Sequence, residues 1–293
     1  MNRTAGILVV VAAVLAFSSC SNSPKQPIVE KDLTYGKGGD VDLKLDIALP
    51  ARGRGPFPAL VYIFGGGWGY YASNRAACPI EAAAARGYVA VTIDYRLTDV
   101  KENGKTKYLF PAQIYDVKAA IRWLRANAKK YRVDPARIGV VGFSSGGHLA
   151  LLAGLTVPAD GLEGEGGNDG YSSQVQAVVD MAGMVEATSF YRDTNVPERL
   201  ALLVGGTPAE VPEQYKIVSP ITYVRPGSPP LIVFQGQFDT SCPPSQSEML
   251  VAKAKEAGVP VTLVVEKGGH EACYGAPELW SFLDSILRAK VRK

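Results

Sequence analysis

The stretch Gly142-Phe143-Ser144-Ser145-Gly146-Gly147 joins an apolar run at residues 138–143 to a helical pattern at residues 146–155. The apolar run predicts a buried strand, and the glycines around the serine permit a sharp turn into the helix. Such a turn lifts the serine hydroxyl above the sheet edge, at a helix N-terminus whose amides favour developing negative charge. The pattern therefore favours Ser144 as a nucleophile; the alternative is a glycine-rich turn with an idle serine.

Strand and helix patterns alternate along the chain from about residue 40 onward. The predicted strands are residues 43–49, 59–64, 88–93, 138–143, 175–181, 231–235 and 261–265, and the predicted helices are residues 114–127, 146–155, 245–257 and 277–291. This alternation predicts an α/β fold, with a mostly parallel central sheet and helices on both faces, in one domain at residues 33–293. The Pro-interrupted region 186–223 is either a helical insertion that shapes a pocket or a plain connector.

The first residues predict an export signal. Arg3 precedes an apolar run at residues 5–17, which is shorter than the roughly 20 residues that a helix needs to span a bilayer. Ser18-Ser19-Cys20 then resembles a bacterial lipoprotein signal, in which the cysteine is lipidated and becomes the new N-terminus. We therefore predict a signal peptide at residues 1–19, a lipid on Cys20 and a tether at residues 20–32. The alternative is an ordinary secretory signal. If Cys20 carries the lipid, we expect the exported protein to contact a membrane only through this anchor.

The composition excludes some classes of function. The chain has 31 basic and 28 acidic residues, with a formal net charge of +3 and no basic run, so we expect no nucleic-acid partner. The four cysteines and two histidines form neither a Cys-x-x-Cys motif nor a histidine cluster, so we predict no metal site. No pattern in the sequence sets an oligomeric state.

A serine hydroxyl becomes a good nucleophile only when a base takes its proton. His148 lies one helical turn beyond Ser144, where we expect a structural residue packed beneath the site. His270 follows the predicted strand 261–265, and the carboxyl ends of strands are where functional groups meet in an open α/β sheet. We therefore predict His270 as the base.

The base needs an acid that holds its tautomer and stabilises its charged form. Asp239 follows the predicted strand 231–235 and precedes the helix–strand unit that ends at His270. The order Ser144, Asp239, His270 is the chain order of the triad in α/β hydrolases. Asp180, at the end of another predicted strand, is the alternative acid.

The glycine run Gly65-Gly66-Gly67 closes the predicted strand 59–64. Glycines have no Cβ, so their backbone amides stay open to a ligand. We predict that the amides of Gly65, Gly66 and Ser145 bind the oxyanion of a tetrahedral intermediate. This chemistry requires neither a metal nor an organic cofactor.

Taken together, these residues resemble esterases of the α/β-hydrolase superfamily, namely the acetyl-xylan and feruloyl esterase-like (BD-FAE-type) and hormone-sensitive-lipase-like carboxylesterases. The resemblance covers about residues 33–290. Its matching stretches are Leu43-Lys44-Leu45-Asp46-Ile47, Gly65-Gly66-Gly67-Trp68, Asp94-Tyr95-Arg96-Leu97, Phe110-Pro111-Ala112-Gln113, Val133-Asp134-Pro135-Ala136-Arg137-Ile138, the serine turn and Gly268-Gly269-His270. The resemblance implies hydrolysis of carboxylic esters by Ser144, Asp239 and His270.

One position departs from the family pattern. Relatives usually have a histidine before the glycine run, and this chain has Phe64. The family histidine orients the glycine loop and takes no proton, so its replacement leaves the backbone amides in place. It changes how the loop is held.

Two cysteines follow the predicted acid and base at the same spacing. Cys242 lies three residues after Asp239, and Cys273 lies three residues after His270. Because the two loops must meet to form the triad, we hypothesise a disulfide between them; the alternative is two separate cysteines.

The expected function is a two-step hydrolysis of short-chain acyl esters through an acyl-enzyme on Ser144. Acetyl and feruloyl esters of carbohydrates are among the candidate substrates. An amidase or exopeptidase of the same fold is the alternative enzyme. A catalytically inactive binding protein is the alternative from another class, which the change at Phe64 keeps open.

Overall fold

The computed structural model describes residues 26–69, 74–99 and 101–289. Its strands are β1 (Ile28–Gly38), β2 (Val41–Leu49), β3 (Phe57–Ile63), β4 (Val89–Ile93), β5 (Lys101–Glu102), β6 (Lys105–Thr106), β7 (Val133–Phe143), β8 (Ala177–Met181), β9 (Leu231–Gly236) and β10 (Val261–Glu266). Its helices are α1 (Ile80–Ala85), α2 (Ala112–Ala126), α3 (Ala128–Tyr131), α4 (Ser145–Leu155), α5 (Ala187–Asp193), α6 (Pro197–Val204), α7 (Pro212–Val218), α8 (Pro244–Glu256) and α9 (Pro277–Leu287).

Eight of these strands form one sheet in the order β1-β2-β4-β3-β7-β8-β9-β10. The first three strands in this order pair antiparallel, and all the following neighbours pair parallel. The strands β4, β8 and β9 are buried along their whole length, as expected of parallel strands that read as continuous apolar runs. This confirms the predicted α/β fold with a mostly parallel sheet.

The N-terminal boundary of the fold lies earlier than predicted. β1 begins at Ile28, which pairs with Leu49 of β2, so residues 28–32 belong to the sheet and not to the predicted tether. β1 is an outer strand with few buried positions, and its sequence therefore lacks the apolar pattern of the inner strands. Residues 1–19 and Cys20, with the predicted signal peptide and lipid, lie outside the described residues. In the part that the structure describes, no helix has the length and apolar character of a membrane span.

The region between β8 and β9 is helical. It contains α5, α6 and α7, and each of these helices has few residues and a partly buried face. Of the two alternatives for residues 186–223, the structure therefore shows the helical insertion.

One arginine ties the segment after the glycine loop to the antiparallel side of the sheet. The guanidinium of Arg75 lies 2.5 Å from Asp32 Oδ1, 2.7 Å from Asp46 Oδ1 and 3.2 Å from Asp94 Oδ1. These carboxylates come from β1, β2 and the end of β4, so one side chain joins three strands. The Arg75 side chain is 15% exposed, so these contacts are largely shielded from water.

We expect the substitution Arg75→Met to lower the free energy of unfolding by about 1–3 kcal/mol, because it leaves the half-buried carboxylate of Asp46 without its cation. Urea unfolding at neutral pH measures this difference. The matched control is Arg192→Met, which removes an exposed pair with Asp193 and should cost no more than about 0.5 kcal/mol. Equal effects of the two substitutions would contradict the role given to Arg75.

Candidate active site

The turn between β7 and α4 holds Ser144 in a strained conformation. Its φ is +56° and its ψ is −123°, which non-glycine residues rarely adopt. The Ser144 amide donates to the carbonyl of Met181 at 2.8 Å, and this bond fixes the turn against β8. A Cβ on Gly142 would lie 2.0 Å from the carbonyl oxygen of Gly146, so the tight approach of strand and helix requires glycine there. The turn presents the serine hydroxyl at the N-terminus of α4.

The structure brings the three predicted triad residues into one hydrogen-bonded line. Ser144 Oγ lies 2.8 Å from His270 Nε2, and His270 Nδ1 lies 2.7 Å from Asp239 Oδ2. With the proton on Nδ1, the imidazole donates to the carboxylate and accepts from the serine hydroxyl, the arrangement that a base requires.

The carboxylate of Asp239 is held from its other side. Its Oδ1 accepts hydrogen bonds from the amides of Ser241 and Cys242, both at 2.8 Å, and its side chain is fully buried. These bonds leave Oδ2 directed at His270. Asp180, the alternative acid, accepts instead from the Gly183 amide, so the carboxylate that contacts the base is Asp239.

The glycine loop lies directly beside the nucleophile. A Cβ on Gly65 would lie 2.8 Å from the carbonyl oxygen of Phe143 and 3.1 Å from Ser144 Cβ. Gly65, Gly66 and Ser145 all line the same cavity as Ser144. Ser145 is the first residue of α4, where an amide has no acceptor within its own helix. The three predicted oxyanion donors are thus brought to one place.

The glycine loop is anchored without the family histidine. At its start, the ring of Phe64 stacks on Tyr95 with centroids 4.7 Å apart, and the Tyr95 hydroxyl donates to the Phe64 carbonyl. At its end, Trp68 Nε1 donates to His148 Nδ1 at 3.0 Å, and His148 Nε2 in turn donates to the carbonyl of Val218 at 2.8 Å. His148 is thus a buried structural residue, as predicted, and it holds the loop through Trp68.

The Trp68–His148 pair was not foreseen as an anchor. The two residues are 80 positions apart, and no feature of either sequence segment indicates a contact between them. The sequence carried one general signal. His148 was expected to be buried, and a buried histidine must find polar partners for its ring nitrogens.

The serine, the base and the glycine loop open onto a cavity of about 540 Å³. Its walls are mainly apolar, with Phe143, Met184 and Tyr274 among them. Phe190, Val196 and Arg199 of the helical insertion also line it, so the insertion shapes the pocket.

The hypothesised disulfide between Cys242 and Cys273 is not formed in the structure, where both residues are free thiols. Cys242 is buried, and its Sγ donates to the carbonyl of Gly183 at 3.1 Å. Its thiol is therefore directed at the end of β8, whereas Cys273 is only partly buried. The hypothesis was wrong because the two loops meet through Asp239 and His270, while the Cys242 side chain turns into the core.

His148 gives the fold a defined response to acid. Burial lowers the pKa of His148 to about 4, a shift that its bond to the Val218 carbonyl partly opposes. Because an unfolded chain binds this proton near pH 6.5, the unfolded state is favoured progressively as the pH falls from about 6.5 to about 4. We expect this one residue to remove about 3 kcal/mol of folding free energy across that window.

The variant His148→Gln keeps hydrogen-bonding groups and does not titrate, so its stability should fall less than that of the wild type over the same window. Urea unfolding at a series of pH values between 4 and 7.5 measures the two curves. Parallel curves would show that His148 does not set the acid response.

Residues 45–254 match the BD-FAE family. "Esterase LipC" of Mycobacterium tuberculosis is 33% identical over an alignment of 210 positions, which covers 68% of this chain and 49% of that protein. The chain therefore spans about half the length of this curated relative.

Solved esterase structures are similar to this chain over most of its length. A truncated carbohydrate esterase from gut microbiota is 30% identical, with a TM-score of 0.76, over 89% of this chain and 95% of that one. The propionate-bound esterase Est2 of Thermogutta terrifontis is 28% identical, with a TM-score of 0.69, over 88% and 91% of the two chains.

Proposed function

Because this chain belongs to the BD-FAE family and has the α/β-hydrolase fold of solved esterases, we propose that it is a serine carboxylesterase. The observation that carries the proposal is the line from Ser144 Oγ through His270 to Asp239, with bonds of 2.8 and 2.7 Å. The glycine loop beside the serine supports the same reaction, since acyl transfer needs donors where the oxyanion forms.

In the proposed mechanism, His270 takes the hydroxyl proton of Ser144 as the serine oxygen attacks the ester carbonyl. The amides of Gly65, Gly66 and Ser145 bind the oxyanion of the tetrahedral intermediate. The protonated His270 then donates to the leaving alcohol, and an acyl-enzyme remains on Ser144. A water molecule, activated by His270, hydrolyses this acyl-enzyme and restores the serine.

We propose short-chain acyl esters as substrates, with carbohydrate acetyl or feruloyl esters as the natural class. A mainly apolar cavity of about 540 Å³ suits a small acyl group together with part of an alcohol. The carbohydrate esterase among the structural relatives supports a carbohydrate ester as substrate. The propionate-bound esterase supports a short acyl chain. The helical insertion, through Phe190 and Arg199, would help to select the alcohol or the acyl chain.

We expect Ser144→Ala to lower kcat on aryl acetates by about 10⁴-fold to 10⁶-fold, and to abolish labelling by a fluorophosphonate probe. The matched control is Ser281→Ala on α9, an exposed serine bonded to its own helix, which should keep wild-type activity. A wild type that neither hydrolyses esters nor reacts with the probe would refute the proposal.

A chain-length series of aryl esters, acetylated xylan, methyl ferulate and a matched anilide would define the substrate and test the amidase alternative.

We also propose that the protein is an exported bacterial lipoprotein, attached to a membrane through Cys20. Arg3, the apolar run at residues 5–17 and the sequence Ser18-Ser19-Cys20 support this proposal.

We expect wild-type protein made in a bacterial host to enter the detergent phase of a Triton X-114 extract, and Cys20→Ala to remain in the aqueous phase. The control Cys273→Ala should partition like the wild type. Aqueous partition of the wild type would refute the anchor.

A further inference from the structure

The carboxyl end of β8 lies between the two strands that carry the nucleophile and the acid. In the sheet, β8 pairs with β7, which leads to Ser144, and with β9, which leads to Asp239. The segment 180–183 begins with the last two residues of β8 and continues into a short turn, and we call it the β8 turn. Its position between the two strands lets it set the spacing between the serine turn and the acid loop.

The β8 turn bonds to both neighbours through its backbone. The Met181 carbonyl accepts from the amide of Ser144 at 2.8 Å. The Gly183 carbonyl accepts from Cys242 Sγ at 3.1 Å, and the Cys242 amide donates to Asp239 Oδ1 at 2.8 Å. A displacement of this turn would therefore move the serine and the acid relative to each other.

The turn itself is strained and needs a support. Ala182 has a φ of +53°, a conformation that residues with a Cβ rarely adopt. Its amide donates to the carbonyl of Phe234 at 2.9 Å, which ties the turn to β9. Strained residues persist only where surrounding contacts determine the backbone.

Asp180 supplies that support from inside the core. It is 1% exposed, and its Oδ1 accepts from the Gly183 amide at 3.0 Å, which closes the β8 turn. A Cβ on Gly147 or on Gly183 would lie 2.3 Å from this oxygen, so the carboxyl group fills the space between the turn and the first turn of α4. Its Oδ2 has no hydrogen-bond partner among the described residues. A buried polar group with one unmet atom is costly to keep, which favours a role beyond packing.

We propose that Asp180 is a positioning residue that closes the β8 turn and thereby fixes Ser144 relative to Asp239. This inference rests on the proposed esterase function. Asp180 does not contact the base, and the acid in contact with His270 is Asp239. Burial raises the pKa of Asp180 to about 7, so an uncharged carboxamide is a fair mimic of its protonated form.

The experiment compares Asp180→Leu, which removes the acceptor, with Asp180→Asn, which keeps the Oδ1 acceptor and the shape. We expect Asp180→Leu to lower kcat on an aryl acetate by about tenfold to a hundredfold with KM within about twofold, since small displacements of reacting groups have effects of this size. Asp180→Asn should keep kcat within about threefold of the wild type. The burst of released phenol counts the competent sites, so that kcat refers to folded enzyme only.

Val178→Ala on the same strand is the matched control. Val178 is buried in β8 and does not belong to the β8 turn, so its truncation should lower the melting temperature and leave kcat per competent site unchanged. Equal losses of kcat per site in Asp180→Leu and Val178→Ala would overturn the proposal. So would an Asp180→Asn variant that is as impaired as Asp180→Leu.

The contact between the β8 turn and Cys242 gives a second test if Asp180→Leu does not fold. Cys242→Val removes the donor to the Gly183 carbonyl, and Cys242→Ser keeps a donor there. We expect kcat to fall about tenfold in the first variant and to recover in the second; equal values would overturn the proposal. Where Asp180→Leu does fold, the combined loss in Asp180→Leu/Cys242→Val should be smaller than the product of the single losses. An inactive wild type would instead refute the esterase function, which separates the two failures.

Discussion

The backbone of Ser144 is forced into a positive φ where β7 turns into α4, and the arrangement of the site depends on this turn. It places the hydroxyl above the sheet at the start of a buried helix, within 2.8 Å of His270 Nε2. The strain is balanced by close packing around Gly142 and Gly146, where a Cβ would collide with backbone atoms. A turn this tight leaves a single geometry for the serine, and the base and the glycine loop are built around it.

The residues around the turn come from distant parts of the chain, and hydrogen bonds and ring contacts hold them in place. The sheet order puts β8 between the serine and acid strands, and the β8 turn bonds to both. The glycine loop is fixed by aromatic stacking at Phe64 and by the bond from Trp68 to His148. The polar groups that make these bonds are buried, so each bond has a large effect on the position of its residues as well as on stability.

Much of this arrangement could be predicted because the local signals are strong. The inner strands are buried on both faces, and their apolar runs therefore stand out in the sequence. The outer strand β1 (Ile28–Gly38) was missed, and its residues 28–32 were assigned to the tether, because an exposed strand carries polar residues like those of a linker. The disulfide hypothesis was wrong for a related reason, since spacing along two loops does not tell in which direction a cysteine side chain points.

The sequence by itself determined the fold class, the serine turn and the identity of the base and acid candidates, because each depends on residue type and on position along a strand or helix. Only the tertiary structure decided between Asp239 and Asp180 as the partner of His270, since Asp180 lies near the end of one buried strand and Asp239 lies just after another. It also decided how the glycine loop is held with Phe64 in place of a histidine, and which insertion residues reach the cavity. These outcomes depend on distances between residues far apart in the chain, which no local pattern records.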